Sequence, residues 1–425
     1  MLFDVVIRTF KIKELRGKIL FVLGAFAVFR IMANIPIPGI DTENLKLVFE
    51  QFEMLGLMNI FTGGALERLS IVMLGVGPYI TSTIILQLLT MIFPKLEEMY
   101  KEEGEMGKKK FEQWGRVLAV PLAVLQALAM ISLFTRQGVL MEMDFLSKVS
   151  AVITVTTGSI ILMWLGELIS EKAIGNGVSL LIFAGIIADF PRNFGQLIAN
   201  YNPSALISYI VFLIAGLFVI TGVVIVNEAR RNIPIAYAKR VRGRVIQGGS
   251  STYLPLSVNP AGVIPIIFAL SVLTFPSMIA NFLSGNEGLL GTTSQAMANF
   301  FNDPWINKSL YFILIFLFTY FYTLITFDPE SVSDNLKKMG GFVPGIRPGE
   351  STAKHLKHVL NRVLPFGALF LSLIAIMPSL IQAITKITAF SFLIGGTSIV
   401  ILVSVVLDVK KQIQTQLEMR DYESF

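Results

Sequence analysis

Very few side chains of this sequence could act as nucleophiles, general acids or bases, or metal ligands. The chain has no cysteine and only two histidines, His355 and His358, which excludes thiolate chemistry and His-rich metal sites. It contains no phosphate-binding loop ending in Lys-Ser/Thr, and neither an HExxH nor a GxSxG motif. We therefore expect a protein that is not an enzyme, holds no metal and no cofactor, and takes any energy it needs from a partner.

Charge is the chemistry that the sequence does offer, and it is concentrated in two long basic loops. The first loop, about 227–257, contains a dense arginine cluster made of Arg240, Arg242 and Arg244. The second, about 327–362, sets Arg347 between Pro-Gly-Ile and Pro-Gly, a turn that would present one guanidinium to a partner. Such loops are attracted to anionic lipid, and they also suit RNA phosphates or a docking protein. Both interpretations remain open on the pattern alone.

The elements that carry these loops are strongly apolar. Apolar residues make up 54% of the 425 residues, charged residues make up 15%, and the mean hydropathy is +0.69. This composition is typical of a polytopic membrane protein, so we predict an all-α fold with ten transmembrane helices. The ten predicted spans are Ile19–Met32, Ile71–Phe93, Val117–Leu133, Ile153–Ile169, Val178–Phe190, Leu206–Val226, Ala261–Phe282, Leu310–Phe327, Val363–Ile384 and Phe390–Leu407.

The distribution of lysine and arginine between the predicted loops indicates an orientation. The N-terminal segment, the loops after even-numbered spans and the C-terminal tail together hold 27 of the 35 basic residues. The loops after odd-numbered spans hold seven, and Arg30 lies at the end of span one. The positive-inside rule then places both termini and both basic loops in the cytoplasm. The basic, amphipathic N-terminus lacks a cleavage site, so we expect it to be retained.

The most unusual apolar run is Leu55–Phe93, which is too long for one crossing and too interrupted for two. Glycines, Pro78 and the pair Glu67-Arg68 break it, and such groups survive at membrane depth only beside protein or water. We predict a short half-helix, a bend at Gly75–Pro78, and a full span beginning near Tyr79. A cavity should lie beside this run.

Ten spans also allow the chain to divide into two five-helix halves, 1–193 and 194–425, with opposite orientations. Span seven, second in its half, is irregular like span two. Asn259 and Pro260 immediately precede it, and Pro265 and Pro276 lie within it. Interrupted segments at matching positions indicate a transport path. Two ordinary proline-kinked helices would explain the same pattern.

Six motifs, in order along nearly the whole chain, resemble the SecY family of bacterial protein-conducting channel subunits. They are IPIPGID (Ile35–Asp41), FTGGALERLSIVMLGVGPYI (Phe61–Ile80), GNGVSLLIFAGI (Gly175–Ile186), NPAGVIPIIFA (Asn259–Ala269), GFVPGIRPGE (Gly341–Glu350) and GGTSIVI (Gly395–Ile401). The resemblance implies an hourglass of two inverted five-helix halves that opens sideways to lipid between spans two/three and seven/eight.

The resemblance also implies roles for individual residues. The plug of the closed channel would be Phe61, Thr62, Gly63, Gly64, Ala65, Leu66, Glu67, Arg68, Leu69 and Ser70. The pore ring would be Ile80, Ile84, Ile182, Ile186, Ile267 and Ile401. Gln87 and Asn259 would be polar groups at the lateral gate, although a helix-capping Asn and an interhelical Gln would look the same. Spacing agrees with the ring, because Ile80/Ile84 and Ile182/Ile186 are each i, i+4 pairs on one helix face.

The partners and the location follow from the same resemblance. They are the small membrane subunits SecE and SecG, the SecA ATPase motor, the ribosome, signal peptides and nascent chains, and membrane lipids. The basic loops would dock the motor or the ribosome through Arg240, Arg242, Arg244 and Arg347. The location would be the bacterial plasma membrane.

Two other functions remain open. A secondary transporter shares the inverted halves and broken helices, although the middle of the predicted spans lacks the charged groups that ion coupling usually needs. A membrane insertase or scaffold without a pore would share the ten spans.

Overall fold

A computed structural model of the protein describes residues 11–40, 42–51, 55–56, 58–59, 62–101, 104–141, 143–172, 175–199, 206–237, 240–242, 245–247, 251–283, 289–385 and 396–423. Helices form most of this structure, because apolar runs with satisfied internal hydrogen bonds are the stable form of a chain in lipid. Helices α1 to α7 are Lys13–Ala33, Thr42–Gln51, Gly77–Thr90, Pro94–Lys101, Gly104–Arg136, Phe145–Lys172 and Gly177–Ala199. Helices α8 to α14 are Leu206–Glu228, Ile264–Leu283, Leu289–Asn302, Pro304–Thr326, Pro329–Lys338, Glu350–Thr385 and Gly396–Glu423.

The ten predicted spans fall on helices α1, α3, α5, α6, α7, α8, α9, α11, α13 and α14. The first residues of the tenth span, 390–395, lie outside the described residues. Among the described residues, six helices are long and apolar enough to cross a membrane, namely α5, α6, α8, α9, α11 and α13. Helices α3 and α4 add a seventh if they are counted as one span bent by 113°. The bend falls immediately before Pro94, which cannot continue the hydrogen-bonding pattern of α3.

The predicted half-helix before α3 is wrong in its conformation. Residues 62–69 and 71–76 form consecutive turns rather than a helix, and Ser70 pairs with Pro36 in an isolated antiparallel bridge. The cause is local, because Gly63, Gly64 and Gly75 have φ values of 64°, 76° and 57°. Three left-handed residues so close together prevent a right-handed helix from propagating. The span itself begins at Gly77, with Pro78 in the first turn, where its missing N–H has no partner to lose.

The all-α expectation is incomplete, because the two basic loops contain short strands. These are β1 Arg230–Tyr237, β2 Arg240–Arg242, β3 Val245–Gln247, β4 Ser251–Ser257 and β5 Gly341–Phe342. Strand β1 is central to an antiparallel sheet of order β4-β1-β5, and β2 pairs with β3. Since β5 belongs to the second basic loop, the sheet joins the two loops into one unit. A small apolar cluster under this sheet contains Ile233, Leu256, Val343 and Leu356.

The buried side chains of the helices form two larger clusters. The central cluster draws on α1, α3, α6, α7, α8, α9, α11, α13 and α14. The second cluster is built mainly by α2, α5 and α6 and by the turns that precede α3. Helix α9 lies against both α3 and α5, while α14 lies against α7 and α8. The turns before α3 contribute to both clusters and therefore lie between them.

Candidate pore constriction and its closing segment

The isoleucines of the predicted ring lie in the central cluster or pack against it. Ile84, Ile182 and Ile401 have 1%, 1% and 0% of their surface exposed, and Ile80 and Ile267 are also buried. Ile186 is partly buried and packs against the same cluster. These six side chains come from four helices that are distant in sequence, α3, α7, α9 and α14. All six residues therefore lie in or against one buried cluster, and their arrangement as a single ring stays a prediction.

Helix geometry explains why these particular positions point inward. Ile80 and Ile84 lie one turn apart on α3, and Ile182 and Ile186 lie one turn apart on α7. The helices that carry them pack in pairs, α3 against α9 and α7 against α14. Branched apolar side chains from opposing helices can exclude water without offering a binding group to any particular side chain that passes.

The turn segment Thr62–Ser70, hereafter the closing segment, contributes to this cluster. Phe61, its first predicted residue, lies outside the described residues. Ala65 belongs to the central cluster with the isoleucines, whereas Leu66 and Leu69 belong to the second cluster, and all three are fully buried. Leu69 has a φ of 42°, a left-handed conformation that costs roughly 1–2 kcal/mol for a residue with a side chain. Tight packing around Leu69 must compensate for this strain.

Contact between two backbones fixes the start of the closing segment. A Cβ atom on Gly63 would lie 2.4 Å from the Cα of Gly185 on α7, and 3.3 Å from the ring of Phe29 on α1. A Cβ atom on Gly185 would lie 2.6 Å from the Cα of Gly63. Only glycine at both positions permits so close an approach. Gly185 directly precedes Ile186, so the closing segment touches α7 beside the isoleucine ring.

Ion pairs also join the closing segment to the surrounding helices. Arg30 of α1 donates from Nη1 to the carbonyl oxygen of Gly63 at 2.8 Å, and its Nη2 lies 3.1 Å from Oδ1 of Asp189 on α7. Arg192, one turn further along α7, pairs with Glu67 of the segment at 3.1 Å. In the sequence, Arg30 and Asp189 fall near the ends of predicted spans, and Glu67 falls in the interrupted run. Their pairing was not predicted, because the partners are far apart in sequence.

The two predicted gate residues are both buried but do not meet each other through a hydrogen bond in the described structure. Gln87 lies on α3, and its Oε1 atom accepts no hydrogen bond from any described residue. Asn259, just before α9, donates from Nδ2 to Oδ1 of Asn227 and to the carbonyl oxygen of Gly262, each at 3.0 Å. Asn227 in turn donates to the hydroxyl of Ser404 on α14. The second contact of Asn259 matches the simpler interpretation, a side chain that satisfies a local turn.

Arg347 is exposed at the surface of the unit that joins the two basic loops. The turn that carries it is tight, with left-handed Gly345 and Gly349 (φ values of 83° and 99°), and Thr352 donates from its hydroxyl to the Arg347 carbonyl at 2.9 Å. Nearby, an exposed hydrogen bond from Lys354 lowers the pKa of the Glu350 carboxyl. Arg240 and Arg242 lie on β2, and Arg244 lies outside the described residues. The joining of the loops was not predicted, because pairing between β1 and β5 links residues about 100 positions apart.

The helical bundle, its buried isoleucines and the covering turn segment define a polytopic membrane protein with the fold of a protein-conducting channel. A solved structure described as that of a protein conducting channel superposes with a TM-score of 0.65 at 19% identity, covering 94% of this chain and 91% of that one. A second gives a TM-score of 0.61 at 20% identity with the same coverage, and its description states that the plug domain of the SecY protein stabilises the closed state of the translocation channel and maintains a membrane seal. Identities this low establish the fold alone.

Sequence comparison supplies the family. A SecY family model matches residues 70–410. A protein translocase subunit SecY from Streptomyces galbus is 42% identical over 439 aligned positions, which cover 98% of each chain. Another from Mycobacterium bovis is 41% identical over 431 positions, covering 97% of each chain. The chain belongs to the SecY family.

Proposed function

We propose that this protein is the central subunit of a passive protein-translocation channel. It passes unfolded secretory polypeptides across the plasma membrane of a bacterium and releases transmembrane segments sideways into the lipid. Family membership and fold support the general role, and the observation that carries it is the burial of six isoleucines from four helices in or against one cluster, to which the closing segment contributes Ala65. Such a ring suits a substrate defined by its unfolded backbone rather than by any one side chain.

The closing segment acts as the plug in this proposal. It lies beside the ring through Ala65 and against α7 through Gly63, so its displacement would uncover the isoleucines. Its turn conformation and strained Leu69 favour movement as a unit, because few regular backbone hydrogen bonds need to break. The description of the related structure, in which a plug domain maintains a membrane seal, supports this role.

The lateral gate lies where α9 and its neighbour α11 meet α3 and α5. Helix α9 contacts both α3 and α5, an arrangement that suits a closed gate. Arg136 at the end of α5 donates to the carbonyl oxygen of Asn281 on α9 at 3.3 Å, across the same boundary. Gln87 on α3 is buried, and its amide oxygen, which accepts no hydrogen bond from the described residues, would favour separation when a polar or hydrated segment arrives.

The sheet unit formed by the two basic loops is the docking surface for a motor or a ribosome. Exposed Arg347 on a tight turn is the residue that we expect to make the principal contact, with Arg240, Arg242 and Arg244 adding positive charge. The SecA ATPase or the translating ribosome would supply the energy that the chain itself does not. SecE and SecG would complete the membrane complex, and anionic lipid would surround its basic margin.

The topology that goes with this function has both termini and both basic loops in the cytoplasm, as the charge bias indicates. The two halves, 1–193 and 194–425, would be inverted relative to each other, with the plug in the first half and both docking loops in the second. The constriction then lies between the halves, since α3 and α7 come from one and α9 and α14 from the other.

A cross-linking experiment tests the proposed path. Because the chain has no cysteine, single-cysteine variants at positions 84 and 182 can be made without other changes. A secretory precursor that carries one cysteine, and is arrested in transit by a folded C-terminal domain, is driven into reconstituted channels. We expect oxidation to produce a disulfide between the precursor and either variant, Ile84→Cys or Ile182→Cys.

The matched control is Ile153→Cys, which places the thiol on the outward face of α6, where the side chain is 60% exposed. It should remain free of precursor under the same conditions. Equal cross-linking at position 153, or none at positions 84 and 182, would refute the proposed path through the isoleucine ring.

A further inference from the structure

One pair of charges in the described structure touches both the closing segment and the helix beside the ring. Arg30 on α1 holds the Gly63 carbonyl oxygen with Nη1 at 2.8 Å and the Asp189 carboxylate with Nη2 at 3.1 Å. The two side chains have 29% and 19% of their surface exposed, so they are shielded from water more than an ordinary surface pair. A single guanidinium therefore joins α1, α7 and the closing segment.

The geometry of the closing segment is adapted to this contact. Gly63 and Gly64 have φ values of 64° and 76°, which turn the Gly63 carbonyl toward α1 and bring the backbone against Asp189. A Cβ atom on Gly64 would lie 2.5 Å from Oδ2 of Asp189, so the carboxylate packs directly on the bare glycine backbone. Asp189 thus contacts the segment and also orients the arginine that holds it.

We propose that Arg30 and Asp189 form a latch that keeps the closing segment over the isoleucine ring and sets how readily the channel opens. The inference rests on the proposed plug role of this segment and adds to it the residues that hold the plug. Both are positioning residues, because they act on the segment rather than on the passing chain. Displacing the segment must break the charge-assisted hydrogen bond from Arg30 to the Gly63 carbonyl oxygen, in a shielded site where such contacts are strongest, and Asp189 holds the guanidinium in position to make it.

The second ion pair of the segment provides an internal comparison. Glu67 and Arg192 are separated by the same 3.1 Å, but their side chains are 40% and 46% exposed. Screening by water makes an exposed pair contribute little. The latch should therefore depend on Arg30 and Asp189 and only weakly on Arg192.

The test measures ion conductance of the full-length protein, reconstituted in planar bilayers without a motor or a substrate. Arg30→Gln removes both contacts of the guanidinium, and Asp189→Asn removes the charge that orients it while keeping its shape. Charged hydrogen bonds of this kind shift an equilibrium by roughly tenfold or more, so Arg30→Gln should raise the open fraction by at least that factor. Asp189→Asn should give a smaller rise, and Arg192→Gln should change it by no more than about threefold.

Lys18→Gln is the matched control, because Lys18 is as exposed as Arg30, at 29%, and its ion pair is with Glu14 on the same helix rather than with α7 or the closing segment. It should leave conductance unchanged. An open fraction that stays at the level of the unaltered protein in both Arg30→Gln and Asp189→Asn would overturn the latch.

Deletion of residues 61–70 separates the latch from a general loss of structure. In that background there is no segment to hold, so Asp189→Asn should add nothing to the conductance. An equal rise with and without the segment would mean that Asp189 stabilises the bundle rather than the plug, and would also overturn the proposal. If the deletion itself left the conductance low, the plug role would fail, an outcome distinct from failure of the latch alone.

Discussion

Ile182 and Ile84 are almost completely shielded in the closed protein, each with 1% of its surface exposed. Their contribution is therefore the packing of branched side chains, and truncating one of them leaves a cavity that the neighbouring helices fill only partly. At the residue scale, the seal and the stability of the bundle rest on the same atoms.

The first prediction concerns this packing. Ile182→Ala should lower the free energy of unfolding by about 2–5 kcal/mol, the range for large-to-small changes in a packed interior. Ile153→Ala on the outward face of α6 removes the same atoms from a side chain that is 60% exposed, and should cost far less. Thermal unfolding of both variants in the same detergent measures the difference. Equal losses would argue that Ile182 is not packed in a closed ring.

Arg347 offers a second prediction at this scale. Reversing its charge in Arg347→Glu should abolish motor-driven translocation while leaving the protein folded, because the side chain is exposed and supports no described packing. Lys338→Glu makes the same charge change at another exposed position of the second basic loop and serves as the control. Translocation of a precursor into proteoliposomes is the measurement. Full activity of Arg347→Glu, or equal loss in Lys338→Glu, would contradict a specific docking role.

Spacing within a helix was readable from the sequence, but contacts between helices were not. The i, i+4 pairs Ile80/Ile84 and Ile182/Ile186 follow from helix periodicity alone. Assigning them to one ring with Ile267 and Ile401 required the family resemblance. The pairing of Arg30 with Asp189 joins residues 159 positions apart, and no local pattern encodes such a contact.

At the scale of elements, the sequence predicted the position of the break in the apolar run correctly but its conformation wrongly. Hydropathy located the break, and the glycines marked it, but the expected half-helix is a run of turns. Positive φ values at Gly63 and Gly64 allow the backbone to lie against α7, which a helix of ordinary diameter would not. Local glycine content favoured the bend, and tertiary contact determined its form.

The close approach of the two backbones leads to a third prediction. Gly185→Ala should raise ion leakage through the closed protein, because the added Cβ would lie 2.6 Å from the Cα of Gly63 and displace the closing segment. The same substitution should stabilise helix α7 itself, since alanine stabilises a helix interior relative to glycine by about 1 kcal/mol. Gly195→Ala on the same helix meets no atom within 4 Å and should show only the favourable effect. Bilayer conductance of the two variants distinguishes displacement of the segment from any change in α7 itself, and unchanged leakage in Gly185→Ala would contradict the contact.

The sheet that joins the basic loops supports a fourth prediction. Leu356 is fully buried beneath the sheet with Ile233, Leu256 and Val343, and Leu356→Asp would place an unpaired carboxylate there. The loops should separate and become much more sensitive to trypsin, whereas ion conductance should stay low because the isoleucine ring is remote. Lys357→Asp changes the exposed neighbouring residue and should leave the protease pattern nearly unaltered apart from the lost site. Equal protection of both variants would show that the cluster does not hold the loops together.

The strands were missed for a physical reason. Strand β1 is stabilised by its partners β4 and β5, and four helices, α9 to α12, separate β5 from the first basic loop in the chain. Sheet stability arises from cross-strand pairs and burial, which a single segment does not reveal. The helices were predictable, because a span in lipid must satisfy its backbone hydrogen bonds internally and is therefore a long apolar run that can be recognised in the sequence.

For the whole molecule, the proposed function is that of a passive channel. The helices supply an apolar constriction, the closing segment covers it, and the latch and loops connect these parts to movement and to partners. An external motor or ribosome would supply the energy, while the chain supplies a seal that opens without recognising particular side chains. The central claim is that residues 61–70 close a water-filled path that would otherwise conduct.

Ion conductance of the reconstituted protein lacking residues 61–70, compared with the full-length chain at equal copy number, tests that claim most directly. With the segment absent, the isoleucine ring loses its cover and its contact through Ala65, so we predict markedly higher leakage in the absence of substrate. Conductance no higher than that of the intact protein would contradict the account, since the segment would then close nothing.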